Sequence, residues 1–112
     1  MPSEVRHLSF RSREIMLAIT EYYYRRGLTL PAGTAARILI AEGPPVRAVL
    51  DIDTDRGEMI EVPIDAETLA ASLILFCINR KIPLPAESDK RLRRLQADAV
   101  ALVIVKHGRP SP

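Results

Sequence analysis

The chain holds a single cysteine, Cys77, among its 112 residues. An internal disulfide is therefore excluded, and the sequence reads as a cytoplasmic protein from a reducing compartment. Glycine is scarce too. The five glycines all mark turns or segment ends, so no phosphate-binding glycine loop exists and no cofactor is expected. The two histidines, His7 and His107, lie at opposite ends of the chain without a nearby carboxylate or cysteine, and make no metal set. Long hydrophobic runs are missing. The longest, Leu69 to Ile78, is too short to cross a bilayer, so no membrane partner is expected. The first residues, MPSEVRHLSFRSRE, carry charges where a signal peptide needs an apolar stretch.

What is present is ordinary globular composition, with 47% hydrophobic residues. Residues 1–112 suffice for one domain with a single modest core, ending in a disordered tail at about 108–112.

The segment DIDTDRGEMIEV, Asp51 to Val62, opens like a calcium loop, with aspartates at the first, third and fifth positions. Such a loop needs glycine at the sixth position and a bidentate Glu at the twelfth. Arg56 and Val62 stand there instead, so no metal is expected. A β-hairpin fits better. Val46, Ala48, Leu50 and Ile52 alternate with Arg47, Val49, Asp51 and Asp53, and Ile60, Val62 and Ile64 alternate with Met59, Glu61 and Pro63. A turn at Thr54-Asp55-Arg56-Gly57 pairs Ile52 with Ile60 and Leu50 with Val62. The acidic residues then form a solvated face.

The most informative feature is an internal echo. Ser9–Thr34 aligns without a gap on Pro63–Ser88, placing Phe10 on Ile64, Ile15 on Leu69, Ile19 on Leu73, Tyr22 on Phe76 and Arg26 on Arg80. Leu28, Leu30, Pro31 and Ala32 fall on Ile82, Leu84, Pro85 and Ala86. At the same offset Val46, Val49 and Leu50 fall on Val100, Val103 and Ile104. The units span about 4–53 and 58–107, and each reads as strand, helix, connector, strand, strand.

In the first unit EVRHLSF is a strand and a helix runs from Ser12 to about Arg26, with Gly27 as its left-handed stop. Strands follow near Ala35–Ala41 and Val46–Asp53. In the second, Glu58–Ile64 is a strand and Asp65 caps a helix ending near Arg80 or Lys81. That helix is apolar nearly all round and should be the more deeply buried one. The echo makes the last region a hairpin, Lys90–Gln96 and Ala99–Lys106, with AVALVIV as a central strand. The expected fold is α+β: tandem βαββ units forming an antiparallel sheet, with two helices packed on one face. This element order resembles the SHS2 module, which occurs in tandem in a ligand-binding family related to gyrase inhibitors.

Catalysis finds no support. Cys77 lies in LILFCIN, inside the most apolar helix, and reads as a core residue rather than a nucleophile. In EYYYRR, successive helical residues step by about 100°, so Tyr22, Tyr23 and Tyr24 cannot all face the core. Charge is uneven, with a net of +3 over residues 1–50, −6 over 51–67 and +5 from 80 onward. The expectation is a small non-catalytic protein-interaction domain, pairing with another protein or with itself as a homodimer. A second reading is nucleic-acid binding through Lys90, Arg91, Arg93 and Arg94, with Tyr23, Tyr24 and Arg25 assisting; the plainer account of KRLRR is protection of an edge strand. A third is a small-ligand pocket between the halves, lined by Tyr22, Phe76 and Cys77.

Overall fold

The computed structural model describes residues 4–107; the expected tail at 108–112 lies outside them. The elements run β1 (Glu4–Phe10), α1 (Ser12–Arg25), β2 (Gly33–Ala41), β3 (Arg47–Thr54), β4 (Met59–Ile64), α2 (Ala66–Asn79), β5 (Asp89–Gln96) and β6 (Ala99–Lys106). This is an α+β fold in the expected order. The two helices have the same length, 14 residues, and begin and end 54 positions apart. No described helix is long and apolar enough to cross a membrane.

The strands form two three-stranded antiparallel sheets, ordered β1-β6-β5 and β2-β3-β4, where the sequence predicts one. Each sheet joins the hairpin of one unit to the leading strand of the other. The cause is local. The tight turn after Thr54 folds β4 back onto β3, with Ile52 opposite Ile60 and Leu50 opposite Val62, as expected. Gly57 supplies the positive φ (80°) that this turn needs. With β2 on its other side, β3 then has both neighbours. β1 instead pairs along β6, from Glu4 opposite Lys106 to Phe10 opposite Val100. The units are interlocked.

The sheets meet where β2 approaches the turn after β5. The Ile40 N–H donates to the Ala97 carbonyl (2.7 Å), and Arg94 Nε donates to the Ile40 carbonyl (3.0 Å). A side chain and a turn carbonyl take the edge groups of Ile40, so no ladder forms there.

The pairing also corrects the echo in its last strand. Ala48 lies opposite Ile64 and Val100 opposite Phe10, the equivalent ends of β4 and β1. Ala48, Leu50 and Ile52 therefore match Val100, Leu102 and Ile104, all buried, two positions away from the sequence alignment. The slack sits in the EGPP connection, the longer of the two hairpin loops.

Both helices stop with the same paired hydrogen bonds. Leu28 N–H reaches Tyr23 O and Gly27 N–H reaches Tyr24 O; Ile82 N–H reaches Cys77 O and Lys81 N–H reaches Ile78 O. Gly27 (φ 68°) is replaced in the second unit by Lys81 (φ 56°). Asp65 caps α2 by accepting the Thr68 N–H at 2.7 Å. That bond holds its carboxyl below the usual range.

The core is one cluster drawn from both units. Ile15, Ala18 and Ile19 of α1, and Leu69, Leu73, Phe76 and Cys77 of α2, cover the inner faces of both sheets. As predicted, α2 buries more of its surface. β6 is a central strand, buried on both faces from Ala99 to Leu102, while Val103 and Val105 are half-buried. Neither of the two described helices covers the opposite faces of the sheets.

Candidate binding cleft

KRLRR lies on β5, an edge strand as expected. Strand alternation divides its cations. Arg91 and Arg93 lie opposite Val103 and Ala101 and project from the open face, whereas Lys90 and Arg94 share the helix side with Leu92. Two of the four serve the local structure. Lys90 Nζ donates to Ser88 Oγ (3.1 Å), and Arg94 holds the Ile40 carbonyl and, at 3.1 Å, the Glu42 carboxylate. The four therefore point to two faces, although all of them border the strand's free edge.

Beside β5 runs an open cleft of about 760 Å³, walled by Lys90–Arg94, by Ala66, Glu67 and Ala70 of α2, and by Glu42–Val46. Five consecutive strand residues can line one cleft only if it follows the strand's edge, because alternate side chains point to opposite faces. The facing wall is the long EGPP connection. Pro44 and Pro45 lack an N–H, so they cannot ladder onto β5. The short turn at Ala97 closes the equivalent place beside β2. The unequal loops thus break the internal symmetry, and the longer one borders the cleft at β5.

The tyrosines sort as the helical step requires. Tyr22 and Tyr23 are half-buried, and Tyr24 is 89% exposed. Burial, with the nearby Asp65 charge adding to it, pushes the Tyr23 phenol up. Tyr24 and Arg25 line a second, smaller cleft of about 400 Å³ with Thr20, Glu21 and Asn79. That cleft shares no lining residue with the one at β5, so neither brings the tyrosine group and KRLRR together.

Tyr22, Phe76 and Cys77 line neither cleft. Phe76 meets Phe10 edge to face, with centroids 5.8 Å apart, and carries the Arg80 guanidinium 3.7 Å above its ring. Arg26 sits more loosely over Tyr22, at 5.9 Å. The echo of Tyr22 with Phe76 and of Arg26 with Arg80 is therefore a repeated cation–π pair at i, i+4. The aligned residues alone do not point to Glu21, which Arg80 grips at 3.0 and 2.9 Å while Asn79 adds a third bond. This fork holds the Glu21 carboxyl below its usual range, against the effect of burial. Cys77 is fully buried, and desolvation pushes its thiol up, with the Arg80 charge opposing.

Two expectations are overturned. The acidic face of the hairpin is not uniformly solvated, because Asp51 is only 2% exposed. Arg37, its cross-strand neighbour, clamps Oδ2 through Nε (2.9 Å) and a terminal nitrogen (2.8 Å), while Oδ1 has no hydrogen-bond partner among the described residues. The signal was available: Arg37 and Asp51 face each other once β2 and β3 pair. His107, expected to have no carboxylate nearby, has its Nε2 3.1 Å from Asp89 Oδ2. Among the described residues no three His, Cys, Asp or Glu side chains gather as a metal site.

The Arg37–Asp51 pair gives a direct test. Arg37→Ala strands a buried carboxylate and is expected to cost about 2 kcal/mol, less than for a fully buried pair because the guanidinium is mostly solvated. The double variant R37L/D51V removes both charges and should stay within about 1 kcal/mol of the parent. Urea unfolding of both variants measures this; equal losses would show that the carboxylate is adequately solvated without Arg37.

Comparison of the chain with known protein families, with curated proteins and with solved structures gives no significant match.

Proposed function

We propose that the protein is a small non-catalytic cytoplasmic interaction domain that works by contact with another protein. The observation that carries this reading is an edge strand, β5, that lies beside an open cleft and is guarded there by charged side chains alone. Exposed strand edges are a hazard that folded proteins usually cap, twist or interrupt. Here β4 carries Pro63 on its edge, and the edge of β2 gives its Ile40 N–H to the Ala97 carbonyl. β5 has neither device along Lys90–Leu92; β1, the other outer strand of its sheet, also lacks proline, and what sets β5 apart is the cleft beside it. The helix layer adds support: Tyr24 and Ile78, at repeat-equivalent positions, are largely exposed. Side chains of this kind favour protein contacts. The buried thiol of Cys77 also argues against nucleophilic chemistry at that position.

The test is a tagged pull-down from native extract, with and without nuclease, read by mass spectrometry. Specific protein partners that survive nuclease are the expected result. Partners that all vanish with nuclease would replace this reading with a nucleic-acid contact through Arg91 and Arg93.

A further inference from the structure

Resting on that interaction reading, we infer that the cleft takes an extended, acidic peptide segment of a partner protein as an added strand on β5. Ile40 turns both its N–H and its carbonyl away from β3, toward the Ala97 carbonyl and the Arg94 side chain. In antiparallel pairing this direction recurs at every second residue. The repeat places Arg94 in the phase of Ile40, so Leu92 and Lys90 turn their peptide groups toward the cleft. Two donors and two acceptors at two-residue spacing are what an incoming strand requires.

Nothing on the facing wall uses them, since the Glu42–Val46 wall presents prolines at its centre. The cleft, about 760 Å³, lies in the usual range for binding sites. Its floor and sides offer Leu92, Val46, Ala66 and Ala70 to apolar side chains.

Charge selects the occupant. Glu42 is already paired with Arg94. Lys90 donates only to neutral oxygens, and Arg91 and Arg93 have no ion pair among the described residues. Three cations remain against Glu67, so an acidic strand is favoured. A second copy fits poorly. The strand in the acidic stretch, β4, bears Pro63 on its edge, and β5 itself would meet like charge. The occupant is therefore a segment of another protein, alternating acidic and apolar residues and free of proline where it pairs.

The experiment is selection from a random 12-residue phage-displayed library on the full chain, followed by fluorescence anisotropy of the leading synthetic peptide. Enriched sequences should alternate Asp or Glu with apolar residues. The double variant R91E/R93E changes two exposed residues and should keep its thermal midpoint while weakening the peptide at least tenfold. In hydrogen exchange, the Lys90 and Leu92 amides should become protected when the peptide binds. No enrichment, basic or helical winners, undiminished binding by R91E/R93E, or unprotected amides would each overturn the proposal. So would competition by an oligonucleotide at low salt together with loss of all peptide binding at 0.15 M salt. Were the nuclease-resistant partners of the pull-down kept by R91E/R93E but lost by Tyr24→Ala, the interaction reading would stand and only this site would fall.

Discussion

Divided at the turn between Arg56 and Gly57, the protein should lose its fold in both halves and recover it on mixing. Each half keeps a helix and a hairpin, yet its leading strand pairs only with the other half: β1 with β6 and β4 with β3. Division also separates the two helices and splits one core cluster between two chains. Pieces of about 55 residues bury too little surface to tolerate such losses. Each fragment alone is therefore expected to show an unfolded circular dichroism spectrum and no cooperative thermal transition. An equimolar mixture should regain both. A fragment that pairs with its own copy would also respect the interlock, since the repeat lets one unit mimic the other. A folded monomer from either half, established by sedimentation, would contradict the exchanged-strand topology.

The second large effect lies at Phe76. Phe76→Ala empties a buried ring site, and such truncations cost about 3–5 kcal/mol. It also removes the edge-to-face contact with Phe10 and the surface on which Arg80 stacks. Tyr22 occupies the equivalent position in the first unit but is half-buried, and its arginine stands farther off. Tyr22→Ala should cost about 1–2 kcal/mol, mostly through lost apolar burial. Denaturant midpoints at constant m-value measure both. Equal costs would mean that the repeat positions are energetically alike and that burial does not separate them. Arg80→Ala provides a control, because it leaves the ring in place while freeing Glu21; a loss near that of Phe76→Ala would assign the effect to the arginine network.

Much of this was legible in the residues. The alternation of Leu50 and Ile52 against Ile60 and Val62 predicts a register that the β3–β4 pair adopts, because a one-residue slip would turn every apolar side chain to solvent. Asp65 and Gly27 mark helix ends through groups that satisfy terminal backbone atoms. The echo resolves Lys90–Gln96 as a strand where local pattern also permits a helix, and the observed strand starts one residue earlier. Less was legible where partners are remote. KRLRR reads as one basic cluster along the chain, but strand alternation sends Arg91 and Arg93 to one face and Lys90 and Arg94 to the other. Asp51 reads as exposed on alternation alone, and becomes buried because Arg37 lies across from it.

Local pattern therefore determined the elements, their ends and the hairpin registers, since each depends on residues within a few positions of one another. Tertiary structure decided which strands neighbour which. An antiparallel partner for β1 buries Phe10 and satisfies the same backbone groups whether it comes from β3 or β6, so nothing in β1 itself distinguishes them. The turn at Gly57 gives that place on β3 to β4, and the longer loop at Gly43 leaves the edge of β5 uncovered. The interlock and the cleft both follow from those two connections.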